Sequence, residues 1–144
     1  MNYVTATIGI ILMGITLEVF WTAIGNFIKE KNFRLMGQSY LWMIPIYGLV
    51  PFIYKIILSY FQNYSILLRG IVYMLAFYSL EYITGFIIKQ LTGKCPWDYS
   101  NHYVKILGKK RRFNFQGIIT LEYAPAWYAY GIIFEFYYLF LIKL

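Results

Sequence analysis

Apolar residues fill four stretches of this chain, and polar residues gather between them. The stretches cover 4–27, 35–61, 66–91 and 113–142. Each reaches the roughly 20 residues that a helix needs to cross about 30 Å of hydrocarbon. Residues 29–34 form a short basic break, Lys29-Glu30-Lys31-Asn32-Phe33-Arg34, and Gln62-Asn63-Tyr64-Ser65 form a short neutral one. The one long connection, 92–112, ends in Lys109-Lys110-Arg111-Arg112. This pattern predicts an all-α integral membrane protein, with four transmembrane helices in a single membrane domain over 1–144.

The placement of cations orients those helices. Lys29, Lys31, Arg34, Lys89, Lys94, Lys105, Lys109, Lys110, Arg111 and Arg112 lie in or beside the first and third connections, ten of the thirteen Lys and Arg residues. Cytoplasmic loops collect Lys and Arg, so loops 29–34 and 92–112 are expected in the cytoplasm and both termini outside, across the plasma membrane. Lys55, Arg69 and Lys143 remain, and the last two fall where long side chains can snorkel to the outer surface. Residues 1–3 lack the basic start of a signal peptide, so the first apolar segment is expected to stay in place.

The two halves share landmarks. Leu17-Glu18 returns as Leu80-Glu81, 63 residues on, and Gly37, Leu41 and Pro45 return as Gly117, Leu121 and Pro125, 80 residues on. The longer third connection absorbs the difference. Two hairpin repeats follow, 1–62 and 66–144, related by a pseudo-two-fold axis along the membrane normal. The same offset sets Lys55 against Glu135, a candidate ion pair. Pro45, Pro51 and Pro125 fall inside expected helices, where each removes a backbone donor and bends or breaks the helix. They mark either packing kinks or discontinuous helices beside a substrate site.

Composition narrows the chemistry. The chain is 60% hydrophobic, 22% aromatic and 13% charged, against about 25% charged in soluble domains. Its formal charge of +7 comes from cations that interrupt apolar runs and form no single face, so nucleic acid is not an expected partner. One cysteine, Cys95, and one histidine, His102, leave no disulfide and no Cys- or His-based metal cluster to build. A Cys95–His102 nucleophile pair would lack a third group to orient it. The glycines near Lys94 have the wrong spacing for a phosphate-binding loop, and no cofactor is expected.

Four of the six acidic residues, Glu18, Glu81, Glu122 and Glu135, fall within the apolar stretches. A carboxylate in hydrocarbon is costly and usually faces the bundle interior or a water-filled cavity. Each could equally be a hydrogen-bonded link between helices. Glu18 and Glu81, at matching places in the repeats, are the leading candidates for binding a substrate or ion, with Glu122 and Tyr47 beside them. Gly14, Glu18, Thr22 and Gly25 share one helical face, and Gly70, Met74, Glu81 and Gly85 lie similarly along the third stretch. In the long connection, Trp97 and Tyr99 suit the membrane interface, while Asp98, Ser100 and Asn101 suit a local turn.

The run Met36-Gly37-Gln38-Ser39-Tyr40-Leu41-Trp42-Met43-Ile44-Pro45-Ile46-Tyr47-Gly48, with a Glu in the preceding stretch, forms one motif. Pro96-Trp97-Asp98-Tyr99-Ser100, followed by Asn114-Phe115-Gln116-Gly117-Ile118, forms another. Together they resemble the Putative ABC-transporter type IV family, which includes CmpB-like bacterial membrane proteins and the transmembrane protein 229 proteins of animals. The resemblance covers nearly the whole chain. It implies a small polytopic membrane protein, and it gives motif status to Gly37, Pro45, Gly48, Trp97, Asp98, Tyr99, Ser100, Gly117 and Pro125. ATP coupling would need a separate ATP-binding subunit.

Three functions compete. A permease-like protein would move a solute, ion or lipid past Glu18 and Glu81 near the midplane. An accessory or structural membrane protein would dock a partner or anionic lipid headgroups through its long loop. A lipid-acting membrane enzyme, with a Glu or Asp98 as acid or base, ranks last because no triad or metal cluster supports it. Four spans leave little room for a whole pathway in one protomer, which points to a homodimer or hetero-complex.

Overall fold

A computed structural model describes residues 3–31, 33–101, 104–106 and 109–143, with 104–106 and 109–110 described by their backbone. Four helices follow in order: α1 (Tyr3–Glu30), α2 (Met43–Phe61), α3 (Ile66–Thr92) and α4 (Ala124–Leu141). Four short strands lie between α3 and α4: β1 (Val104–Ile106), β2 (Lys109–Arg111), β3 (Asn114–Phe115) and β4 (Ile119–Thr120). They pair as two separate antiparallel ribbons, β1 with β2 and β3 with β4. The protein is therefore mostly helical, and not purely so as expected.

Helices α1, α2 and α3 are long and apolar enough to cross a membrane. At 1.5 Å per residue they extend about 42, 28 and 40 Å. Large apolar side chains such as Val4, Ile8, Leu12 and Ile28 on α1 stand exposed, as suits a lipid-facing helix. Helix α4, at 18 residues, is shorter and is not among those three. With its three apolar helices, the chain is an integral membrane protein.

Helix ends follow local chemistry. Lys31 closes α1 in a left-handed conformation (φ 54°), its N–H donating to the Phe27 carbonyl at 2.8 Å. Ser65 caps α3, its hydroxyl accepting from the Leu68 N–H, and Gly93 ends it at φ 79°, the left-handed geometry that glycine adopts without a Cβ penalty. Between α2 and α3, Arg69 Nη1 donates to the carbonyls of Tyr64 (2.6 Å) and Gln62 (3.2 Å). The guanidinium thus folds back over the turn, where the sequence suggested only snorkelling. Arg69→Ala is expected to lower stability by about 1 kcal/mol, since net hydrogen-bond contributions are small at exposed sites. Thermal unfolding of the purified protein measures this, and an unchanged midpoint would show that the turn holds without the guanidinium.

Two expected spans start later than their apolar runs do. The second was expected over 35–61, but α2 begins at Met43 and residues 33–42 are non-helical. The fourth was expected over 113–142, but α4 begins at Ala124, after the β3–β4 ribbon and a 3₁₀ turn over Leu121–Tyr123. Proline explains both starts. Pro45 is the third residue of α2 and Pro125 the second of α4, positions where the missing N–H has no helical partner to lose. Neither is an interior kink; only Pro51 lies inside a helix.

The chain divides into two compact units, Met1–Ile56 with Phe134–Leu144, and Ile57–Ile133. In the first, Ala6, Ile10, Val50, Tyr54, Phe134 and Tyr138 are buried, and the Tyr54 and Tyr138 rings stack at 5.6 Å. In the second, Tyr73, Phe77, Ile88, Trp97 and Ile118 form the core.

Candidate functional site

The segment after α1 turns back and runs along that helix. Three polar side chains spaced four residues apart on α1 receive it. Asn26 Nδ2 donates to the Met36 carbonyl at 3.0 Å. The Gln38 N–H donates to Thr22 Oγ1 at 2.8 Å, and that hydroxyl also lies 3.0 Å from the Gln38 carbonyl. Ser39 Oγ donates to Glu18 Oε2 at 2.6 Å. Spacing of four keeps Glu18, Thr22 and Asn26 on one face, so α1 offers a polar ladder whose partner is extended backbone, not another helix. The ladder meets the Met36 carbonyl and both backbone groups of Gln38, which a helix would otherwise have satisfied.

Glycine sets the spacing of that approach. A Cβ on Gly37 would press into the Val19 carbonyl oxygen and stand 2.9 Å from its carbon. One turn further into α1 from Glu18, a Cβ on Gly14 would meet the Tyr47 ring at 2.6 Å. Tyr47 is thus half-buried against α1, its ring parallel to Phe134 at 6.3 Å. Gly25, expected on the same packed face, has nothing within 4 Å of a built Cβ. Asn26 takes the packed position in its place. Gly48 has only the end of Ile11 nearby, at 3.7 Å.

The second unit gathers its site from the long connection. Tyr99 Oη donates to Glu81 Oε1 at 3.2 Å, and the Tyr99 N–H donates to the Gly117 carbonyl at 2.8 Å. Glu81 lies eleven residues before the end of α3, about 16 Å along the helix. The Trp-Asp-Tyr-Ser segment therefore folds back along α3 and does not hang from its end. Trp97, expected at the membrane interface, is 5% exposed. Its ring lies against Gly85, and its Nε1 donates to the Ile118 carbonyl at 3.2 Å. The ring is thus covered by protein, where the sequence suggested a place among headgroups.

Asp98 and Ser100 form the expected local turn. The Ser100 N–H donates to Asp98 Oδ1 at 2.8 Å. Hydrogen bonds from the Ser100 side chain and then its backbone hold the Asp98 carboxyl below the usual carboxylate range. Gly117, at φ 71°, completes the turn, and a Cβ there would press into Ser100 Oγ. Burial pushes the Cys95 thiol up, which favours the thiol over the nucleophilic thiolate. His102 lies outside the described residues, and so does the Cys95–His102 pair.

The other candidates are more scattered. Glu122, expected within a transmembrane helix, sits half-buried in the 3₁₀ turn ahead of α4. Glu135 on α4 is 1% exposed, whereas Lys55 is exposed with its ammonium 5.0 Å above the Tyr3 ring. Tyr78 Oη donates to the Thr120 carbonyl at 2.9 Å, and Lys89 Nζ donates to the Gln116 carbonyl at 3.4 Å. Asn26, Ser39, Tyr78, Gln116 and Ile118 were not singled out as site residues from sequence. The four-residue spacing of Glu18, Thr22 and Asn26 was the available signal for the first of them.

A family model described as Putative ABC-transporter type IV matches residues 7–143. No solved structure matches the chain. The match spans both returning segments, and the chain belongs to the Putative ABC-transporter type IV family.

Proposed function

We propose that this chain is a permease-like membrane protein that moves a small solute, ion or lipid past Glu18 and Glu81. The observation that carries this reading is that each glutamate meets a hydroxyl on a non-helical segment folded back along its helix, Ser39 on Glu18 and Tyr99 on Glu81. Substrate and coupling-ion sites in many transporters lie where helices break near the midplane, because unwound backbone offers polar groups there. Four spans, termini outside, loops 29–34 and 92–112 in the cytoplasm of a plasma-membrane protein, and a separate ATP-binding subunit complete the proposal. Tyr47 and Glu122 flank the two returning segments, and the Lys55–Glu135 pair is proposed to steady the first unit.

Contacts at matching offsets in the two halves support reading the two glutamates as equivalents under the proposed duplication. Asn26 meets the Met36 carbonyl, and Lys89, 63 residues on, meets the carbonyl of Gln116, 80 residues beyond Met36. By the same offsets, Thr22 with Gln38 corresponds to Gly85 with Ile118, and Gly14 with Tyr47 corresponds to Phe77 with Trp127, whose ring centroids are 5.8 Å apart. The hydroxyls are the exception. Ile119 stands where Ser39 would recur, and Tyr99 from the longer loop supplies the group instead.

The accessory reading rests on the same bonds, taken as links that hold the returning segments in place. Glutamine separates the two, since it keeps an acceptor oxygen for Ser39 or Tyr99 and removes the charge. In proteoliposomes screened with labelled ions, solutes and lipids, Glu18→Gln with Glu81→Gln is expected to abolish flux while the melting temperature changes little. Undiminished flux in that double variant would reject the site, and a large loss of stability would favour the accessory role. The low Asp98 pKa and raised Cys95 pKa argue against those groups as a general acid or a nucleophile.

A further inference from the structure

The basic run after α3 orients the chain, but orientation does not require it to fold. It does fold, as the β1–β2 ribbon, with Lys105 opposite Lys110, Ile106 opposite Lys109 and Val104 opposite Arg111. We propose that this hairpin and the arginines that follow it bind the headgroups of anionic phospholipids.

Charge is the first argument. Residues 105–112 carry five cations, and no acidic residue lies between Asp98 and Glu122 to balance them. A lone two-stranded hairpin is marginal in water. Its run of like charge, unbalanced in the sequence, calls for an anionic counterpart. Exposed Arg111 and Arg112 present planar forks that match phosphate oxygens in pairs.

The surroundings choose a lipid over an acidic soluble protein. Immediately after Arg112, Phe113 and Phe115 are 38% and 56% exposed. The Phe115 ring lies 5.6 Å from Tyr82 on α3, which itself stacks on exposed Phe86 at 6.2 Å. The segment that follows the hairpin is thus tied to α3, and in the sequence cations adjoin exposed aromatic rings. That combination suits the boundary between headgroups and acyl chains, where charge meets phosphate and rings enter the apolar side.

The test uses the purified full chain in mixed micelles, with phosphatidylglycerol or phosphatidylcholine titrated in and bound lipids counted by native mass spectrometry. Wild type is expected to retain phosphatidylglycerol preferentially. Arg111→Gln with Arg112→Gln is expected to weaken that retention about thirtyfold, since each basic residue at an anionic surface contributes roughly a factor of five. Lys109→Gln with Lys110→Gln should act in the same direction, Lys143→Gln should not, and circular dichroism verifies that each variant remains folded. Equal retention of the two lipids would overturn the proposal, as would unchanged retention in both double variants. Displacement by glycerol phosphate at lipid concentrations would identify a free-phosphate site, and capture of an acidic protein without lipid preference would identify a protein interface. Lipid retention is read without any flux, so this proposal and the transport reading fail separately.

Discussion

Trp97→Ala is expected to destabilise the second unit by about 3–5 kcal/mol, the range for removing a buried tryptophan. Three losses add. The ring leaves a cavity beside Gly85, next to the Ile118 and Cys95 side chains. The Ile118 carbonyl, on a fully buried residue, loses the Nε1 donor at 3.2 Å. The neighbouring Tyr99, whose N–H and hydroxyl tie the loop to Gly117 and Glu81, then hangs on a segment without its anchor. Trp97→Phe separates the terms, since it fills most of the volume and lacks the donor. It is expected to cost about 1–3 kcal/mol, the penalty for leaving one buried acceptor unmet. Thermal unfolding in one detergent compares the three proteins. If Trp97→Ala melted with wild type, the ring would belong at the lipid interface after all.

That contrast marks where the sequence is legible and where it is not. Helices α1 and α3 could be read from length alone, because nothing but a helix carries more than 20 apolar residues across hydrocarbon. The starts of α2 and α4 could not. Leu35, Met36, Tyr40, Leu41 and Trp42 are apolar like the helix they precede, and hydropathy does not register that they are non-helical. Pro45 and Pro125 held the information in their preference for a first turn, but an unbroken apolar run makes a proline look like a kink. Trp97 was ambiguous for a related reason: a loop tryptophan near a membrane has two good environments, and only the notch at Gly85 decides between them. The glutamates were conspicuous by their cost in lipid, whereas their partners, Ser39 and Tyr99, are ordinary residues whose roles depend on how the chain turns back.

Gly37→Ala and Gly25→Ala should shift stability in opposite directions, although both add one methyl group within one unit. At Gly25 a built Cβ meets nothing within 4 Å. Alanine there removes the entropic penalty of an interior helical glycine and should stabilise the protein by about 0.5–1 kcal/mol. At Gly37 the added carbon meets the Val19 carbonyl, whose oxygen and carbon are backbone atoms held by the α1 helix. A side chain could rotate away, but a helical carbonyl cannot, so the returning segment itself must lift off. Such overpacking costs about 1–3 kcal/mol. Lifting it also stretches the Gln38–Thr22 and Ser39–Glu18 bonds, each contributing about 0.5–1.5 kcal/mol. Gly117 is constrained differently: its φ of 71° excludes most side chains before any clash with Ser100 is considered. Melting curves of Gly37→Ala, Gly25→Ala and wild type in one detergent check the order. Gly37→Ala should melt lowest and Gly25→Ala highest; if Gly37→Ala melted at or above wild type, the returning segment would not lie against α1.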